Sequence, residues 1–371
     1  MTKFTQDTAP TRYAEGGGIR FAFRRLGVPG RFPLVFFQHF MGTLDDHDPA
    51  VSDAFAADRE VILFNNAGVA SSSGTVPDTI EAMARDAISF TGAPGLTTID
   101  LVGHSMGGLV AQEVALARPE LVRRLVLVGT GPRGGEGIGA LPPWVAELFT
   151  RKYERQEDMW LTILFAPTQT SQAAGRAYVE RILARADRDT PASDQSIAAQ
   201  HAALAAYGAA KDPSYAHLKG LELPILVVNG ADDIVIPTIN SYILQQFLPN
   251  AELILYPDAN HGSHFQYPEL FVRHARIFLD DELAPDTPYG PGRGTGRLSM
   301  PVTASPAQPG PGRRLGRRTD GVRPPSATSA GSTPRARRSP SATTSKPPSS
   351  PTGCASPGSP TSLRSASSPP C

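Results

Sequence analysis

The sequence predicts an α/β protein: a doubly wound, mostly parallel sheet with an inserted helical block and a long polar tail. Three observations carry this. Short apolar runs bounded by turn residues alternate with helix-period segments over roughly the first 130 residues and again between about 220 and 280. From Gly131 to about Leu218 the alternation stops, and helical patterns follow one another without a strand. From Ala284 onward the composition changes altogether.

The apolar runs lie at 33–37, 61–64, 98–102, 125–128, 223–228 and 252–256. Several are too uniformly apolar for one face to meet water, which suits parallel strands covered on both sides. Residues 12–15 and 19–26 flank Gly16-Gly17-Gly18 and read as a β-hairpin. Helical patterns at 51–58, 77–90, 109–118, 237–247 and 268–279 supply the crossovers, which are right-handed in such sheets. Within the strand-free block the helical patterns are 143–154, 159–165, 171–185 and 193–207. A helical block between two strands of one sheet reads as a lid over the active site. The expected organisation is a core of residues 1–131 and 218–283, a lid of 132–217 and a tail of 284–371, with the fold complete by Leu279 or shortly after.

The tail holds 18 of the 36 prolines and both cysteines, with 12 Lys/Arg against Asp286 and Asp320 as its acids. Tyr289 is its one aromatic, so it lacks the apolar surface to offset its ordering entropy and is expected to be disordered. Its residue types are those of G/C-rich codons, which points to out-of-frame or recently extended sequence; a genuine basic arm is the alternative. The net charge of zero therefore divides into about +10 for the tail and −10 for residues 1–283. An acidic core argues against nucleic acid as its partner. With Cys354 and Cys371 both in the tail, the core has no cysteine nucleophile and no cysteine metal site. The first ten residues are polar, and no apolar stretch is long enough to span a bilayer. A cytoplasmic protein away from membranes is the expectation, with oligomeric state left open.

Gly103-His104-Ser105-Met106-Gly107 is the most informative motif. It lies between the apolar run at 98–102 and the helical run at 109–118. A serine on a sharp strand-to-helix turn projects its Oγ off the sheet, and the helix N-terminus supplies free N–H groups and a positive field. The turn is strained and crowded, so small neighbours are needed, and Gly103, Gly107 and Gly108 provide them. A nucleophilic serine needs a base, and the base needs an orienting acid. Pro257-Asp258-Ala259-Asn260-His261-Gly262 follows the last apolar run, placing His261 on a loop at the sheet's C-terminal edge. Ala231-Asp232-Asp233 follows the run at 223–228 and offers the acid. The chain order is then Ser, Asp, His.

Residues from about 11 to 280 thereby resemble the α/β-hydrolase fold, in particular its small, lidded, cofactor-free members. The resemblance rests on Gly103-His104-Ser105-Met106-Gly107-Gly108, on Gly230-Ala231-Asp232-Asp233 with Pro237, and on His261-Gly262 ahead of Gln266-Tyr267-Pro268. It implies Ser105 as nucleophile, His261 as general base and Asp233, by the Gly-x-x-Asp spacing, as the acid. It also implies an oxyanion hole from the backbone N–H groups of Phe40 and Met106. No cofactor and no metal are called for. The implied activity is hydrolysis of a small carboxylic ester or related acyl substrate, a small molecule being the expected partner. A serine at this position argues against the dehalogenase and epoxide-hydrolase relatives, which use aspartate. The family also holds carbon–carbon bond hydrolases and perhydrolases (non-haem haloperoxidases), and a non-catalytic ligand receptor is possible on the same fold. A third class of reading makes the basic tail an interaction module.

The chain departs from the family at two loops. Gln38-His39-Phe40-Met41-Gly42 stands where His-Gly is usual, and Asn65-Asn66-Ala67-Gly68-Val69-Ala70-Ser71 replaces Asp-x-Arg-Gly-x-Gly-x-Ser. His39 and His104 are expected to pack beside the site, and His264 and His274 to be exposed. His47, among Asp45, Asp46 and Asp48, is expected in a solvated loop that opens a helix, since the spacing matches no metal site. Trp144, Phe149, Trp160, Ile163 and Phe165 are candidates for lining the acyl pocket or for packing the lid on the core.

Overall fold

The computed structural model describes residues 4–155 and 157–280. The reading of 284–371 as a disordered tail falls outside them. The elements are β1 (Arg12–Gly16), β2 (Ile19–Gly27), β3 (Leu34–Phe37), α1 (Pro49–Phe55), β4 (Glu60–Phe64), α2 (Ile80–Gly92), β5 (Ile99–His104), α3 (Met106–Ala117) and β6 (Val122–Val128). Four helices follow: α4 (Pro143–Thr150), α5 (Glu157–Leu164), α6 (Gln169–Leu183) and α7 (Asp194–Ala209). The chain then runs through β7 (Ile225–Gly230), α8 (Ile239–Phe247), β8 (Ala251–Tyr256), α9 (Ser263–Gln266) and α10 (Pro268–Asp280).

The eight strands form one sheet in the order β1-β2-β4-β3-β5-β6-β7-β8. β1 and β2 pair antiparallel, β2 joins β4 antiparallel, and every later pairing is parallel. Side chains alternate across the central strand: Val35 and Phe37 face one apolar layer with Met83, Phe90, Leu109 and Val114, from α2 and α3. Leu34 and Phe36 face the other, with Phe55, Phe271 and Phe278 from α1 and α10. Both faces are thus covered, the physical reason the central strands read as largely apolar runs.

Caps set the helix limits that periodicity alone misplaced. α2 begins at Ile80 rather than 77 because Thr79 is its N-cap, its Oγ1 accepting from the Ala82 N–H. α1 begins at Pro49 rather than 51, capped by Asp48 through the Ala50 N–H at 2.9 Å. Among the described residues no helix is long and apolar enough to cross a membrane.

The 45–48 segment does open a helix, but it is buried rather than solvated. Its charges are met by arginines from elsewhere in the chain. Arg24 on β2 forms a two-point pair with Asp45, at 2.5 and 3.3 Å. Arg181 on α6 binds both oxygens of Asp48 at 2.7 Å, and Arg188 reaches Asp46 at 3.2 Å. Tyr178, also on α6, donates its hydroxyl to the Asp46 carbonyl at 2.9 Å. The acidic loop therefore ties α6 to the sheet domain. The altered 65–71 loop joins the same seam. Asn65 accepts from Leu44 N–H at 2.8 Å and donates to Asp189 at 2.7 Å, and the Ser71 hydroxyl also donates to Asp189. Ala70 stands where the family has a glycine, and it keeps a left-handed φ of 50°.

Candidate active site

Three strand ends build the site. β5 runs directly into α3, and the residue between them, Ser105, has φ 55° and ψ −122°. That non-glycine left-handed geometry is strained and survives because its surroundings over-determine it. The Ser105 N–H donates to the Val128 carbonyl at 2.9 Å. Its own carbonyl accepts from Gly108 N–H and from Thr130 Oγ1, both at 2.9 Å. The small neighbours are needed as expected: a Cβ on Gly103 would lie 2.6 Å from the Gly107 carbonyl oxygen, and one on Gly107 would overlap that of Phe37.

The other two groups arrive from the ends of β7 and β8. Gly230, the last residue of β7, packs so tightly under the Ala259–Asn260 backbone that no side chain fits. This close approach brings the Asp233 turn against the His261 loop, and Asn260 Oδ1 crosses between them to accept from Ile234 N–H at 2.9 Å. Asp233 Oδ1 is held by the N–H groups of Val235 and Ile236, at 2.8 and 3.0 Å. Its Oδ2 accepts from His261 Nδ1 at 2.8 Å. His261 Nε2 accepts from the Ser105 hydroxyl, also at 2.8 Å. Ser105, Asp233 and His261 are all buried, whereas Asp232 is exposed. The structure thus brings the three predicted residues into one hydrogen-bonded row and leaves Asp232 out of it.

The two predicted oxyanion donors flank Ser105 differently. Met106 is the first residue of α3, so its N–H has no intrahelical acceptor. Phe40 sits in a turn, His39 to Gly42, closed by the Gly42 N–H to the His39 carbonyl at 3.1 Å. Gln38 braces the turn: its Oε1 accepts from the His39 N–H at 2.9 Å and its amide donates to the Thr43 carbonyl. Phe40, Met41, Ser105 and His261 all line one cavity of about 1390 Å³ between the sheet and α4–α7. Of the five aromatic and aliphatic candidates, Phe149, Trp160 and Ile163 line it. Trp144 is exposed, and Phe165 is buried against Tyr178 at 5.7 Å.

Behind His261 lies a row of imidazoles. His104 Nε2 donates to the His261 carbonyl at 3.0 Å. Its ring is 5.2 Å from His39 and 4.5 Å from His264. His264, expected at the surface, is instead buried on the short α9, which precedes the final helix. His274 is half-buried and accepts from the Tyr256 hydroxyl at 2.9 Å. Burial lowers the pKa of His39, His104 and His264, and drives that of His47 down to about 3. Neighbouring imidazoles push the same way, so the neutral form of each ring is favoured. Among the described residues no group of His, Cys, Asp or Glu is arranged to hold a metal.

This has a consequence for acid stability. The four histidines take up protons near pH 6.5 in the unfolded chain and less readily in the fold. Stability is therefore fully present above pH 6.5 and falls as pH drops below it, by up to about 1.4 kcal/mol per pH unit per histidine. For His47 that window extends to about pH 3. Asp53, pushed up to about 6 by burial, acts oppositely, but only below pH 6. Urea midpoints should thus drop between pH 7 and 6, and His47→Gln should flatten that drop. A midpoint that stays level or rises over this interval contradicts the reading.

Residues 33–268 match the α/β hydrolase fold family. A solved α/β hydrolase fold protein from Chitinophaga pinensis is 40% identical, with 75% of this chain and 100% of that one covered and a TM-score of 0.71. "Putative carbamate hydrolase RutD" from Rhizobium rhizogenes is 29% identical over 230 residues, 61% of this chain and 85% of its own length. A pimeloyl-(acyl-carrier protein) methyl ester esterase from Nitrosomonas europaea is 30% identical over 46% of this chain and 67% of its own length. With its sheet order, its Ser105 elbow and the match spanning most of the described residues, the chain belongs to the α/β-hydrolase family.

Proposed function

We propose that this protein is a serine hydrolase of carboxylic esters or closely related acyl compounds, acting through Ser105, His261 and Asp233. One observation carries the reading: the unbroken row Asp233–His261–Ser105, with both links at 2.8 Å, opens on the large cavity. Ser105 attacks the substrate carbonyl as His261 Nε2 removes its proton. The tetrahedral oxyanion is received by the N–H groups of Phe40 and Met106, a contribution of roughly 3–4 kcal/mol per donor where measured elsewhere. Asp233 holds the imidazole tautomer and stabilises its cation. His261 then protonates the leaving group and activates water to release the acyl group. The relatives named as a carbamate hydrolase and a methyl ester esterase support acyl chemistry of this kind.

The cavity exceeds the roughly 300–1,000 Å³ of ordinary small-molecule pockets. Its lining includes Phe40, Ile138, Phe149, Trp160, Val235 and Ile236. An extended apolar acyl or alcohol portion fits it better than a two-carbon one. A series of 4-nitrophenyl esters tests this. KM should fall as the acyl chain lengthens, each buried methylene being worth about 0.8 kcal/mol, and Ser105→Ala should abolish turnover throughout. Equal turnover by Ser105→Ala, or cleavage of no ester in the series, contradicts the proposal.

A further inference from the structure

The turn that presents Phe40 is held in a strained form by a side chain from α7. Met41 has φ 65° while Phe40 does not have a positive φ, so the His39–Gly42 turn is of type II. Its third position normally takes glycine or asparagine, and a bulkier residue there is strained. What distinguishes type II from type I is the orientation of the central peptide, between Phe40 and Met41. Both ends of that peptide are engaged. Its carbonyl accepts from His39 Nδ1 at 2.8 Å, and its N–H donates to Gln200 Oε1 at 2.8 Å. Gln200 is 1% exposed and lies 159 residues away in sequence, on α7. The same helix is tied to the loop after β4 by Ser196, whose hydroxyl donates to the Gly68 carbonyl at 2.8 Å.

We infer that Gln200 is a positioning residue that couples the seating of α7 to assembly of the oxyanion hole. The inference rests on the hydrolase reading above, in which the Phe40 N–H receives the oxyanion. The peptide that Gln200 holds and the peptide that carries the Phe40 N–H share the Phe40 Cα. Releasing the first lets Met41 relax from its left-handed φ and tilts the second. A donor contributes only when about 2.7–3.1 Å from the oxyanion, and a misplacement of about 1 Å can cost 100-fold.

Gln200→Met keeps the length and most of the volume of the side chain but removes the acceptor. With a 4-nitrophenyl ester that the protein turns over, it should lower kcat 10- to 100-fold and leave KM within about threefold. Adding Met41→Gly should restore most of kcat, because glycine adopts the left-handed φ without strain and needs no clamp. If Gln200→Met does not fold, Gln200→Asn, which withdraws the amide by one methylene, is read in the same way. Wild-type kcat in the Gln200 variant overturns the inference. So does a loss of kcat that Met41→Gly fails to restore, since Gln200 would then act only by holding α7. Turnover by Ser105→Ala in the same assay would instead overturn the hydrolase reading beneath it, so the two failures are distinguishable.

Discussion

Asp233→Asn is expected to lower turnover by about 10⁴-fold with little change in melting temperature. The reason lies in how the carboxylate is held. Its Oδ1 is fixed by two backbone N–H groups, of Val235 and Ile236, so an asparagine keeps its oxygen there and turns its NH₂ toward His261. A donor facing Nδ1 forces the proton onto Nε2. The imidazole then cannot accept from Ser105, and the cation formed during catalysis has lost its partner. Asp232→Asn should change turnover by less than about threefold, because that side chain is exposed and outside the row. Steady-state rates of the two variants on one ester check this, and a reversed ranking contradicts the assignment of Asp233.

The second large effect falls on stability. Arg24 and Asp45 are each 1% exposed, and Arg24 also donates to Thr11 Oγ1 at 3.0 Å. Asp45 further accepts from the Asp189 N–H at 2.7 Å. Removing one member leaves an uncompensated buried charge, which costs roughly 3–5 kcal/mol. Asp45→Leu should therefore lower the urea midpoint sharply. Arg24→Met combined with Asp45→Leu should recover part of the loss, since an apolar replacement of a buried pair is often neutral but the Asp189 N–H and Arg185 still lose their contacts with Asp45. A single variant within about 1 kcal/mol of wild type shows that the pair is not desolvated as the structure has it.

What was legible in the sequence was local. Ser105 announces itself through five consecutive residues between a strand and a helix. His261 and Asp233 follow because each lies in the turn just after a strand, and turns after parallel strands gather at one sheet edge. The apolar runs within β3 to β7 report burial on both faces and hence the layered fold. What escaped the sequence depends on distant partners. Four polar residues, Asp45 to Asp48, look solvated when read alone. They are buried because Arg24, Arg181 and Arg188 reach them from β2, from α6 and from just beyond α6, and no local pattern records that pairing. Gln200 is one polar residue in an alanine-rich helix, and its hydrogen bond to Met41 could not be seen before the topology placed α7 over that turn. His264 reads as a surface residue of a final helix, but the chain first makes the short α9, which turns it inward beneath His104.

The central claim is that Ser105 is the nucleophile. Intact-mass analysis after treatment with a fluorophosphonate, followed by peptide mapping, tests it most directly. One equivalent of phosphonyl adduct on the peptide carrying Gly103-His104-Ser105-Met106-Gly107 is expected, formed far more slowly in His261→Ala and absent in Ser105→Ala. An adduct on another residue of the folded protein, or undiminished labelling of Ser105→Ala, contradicts the account.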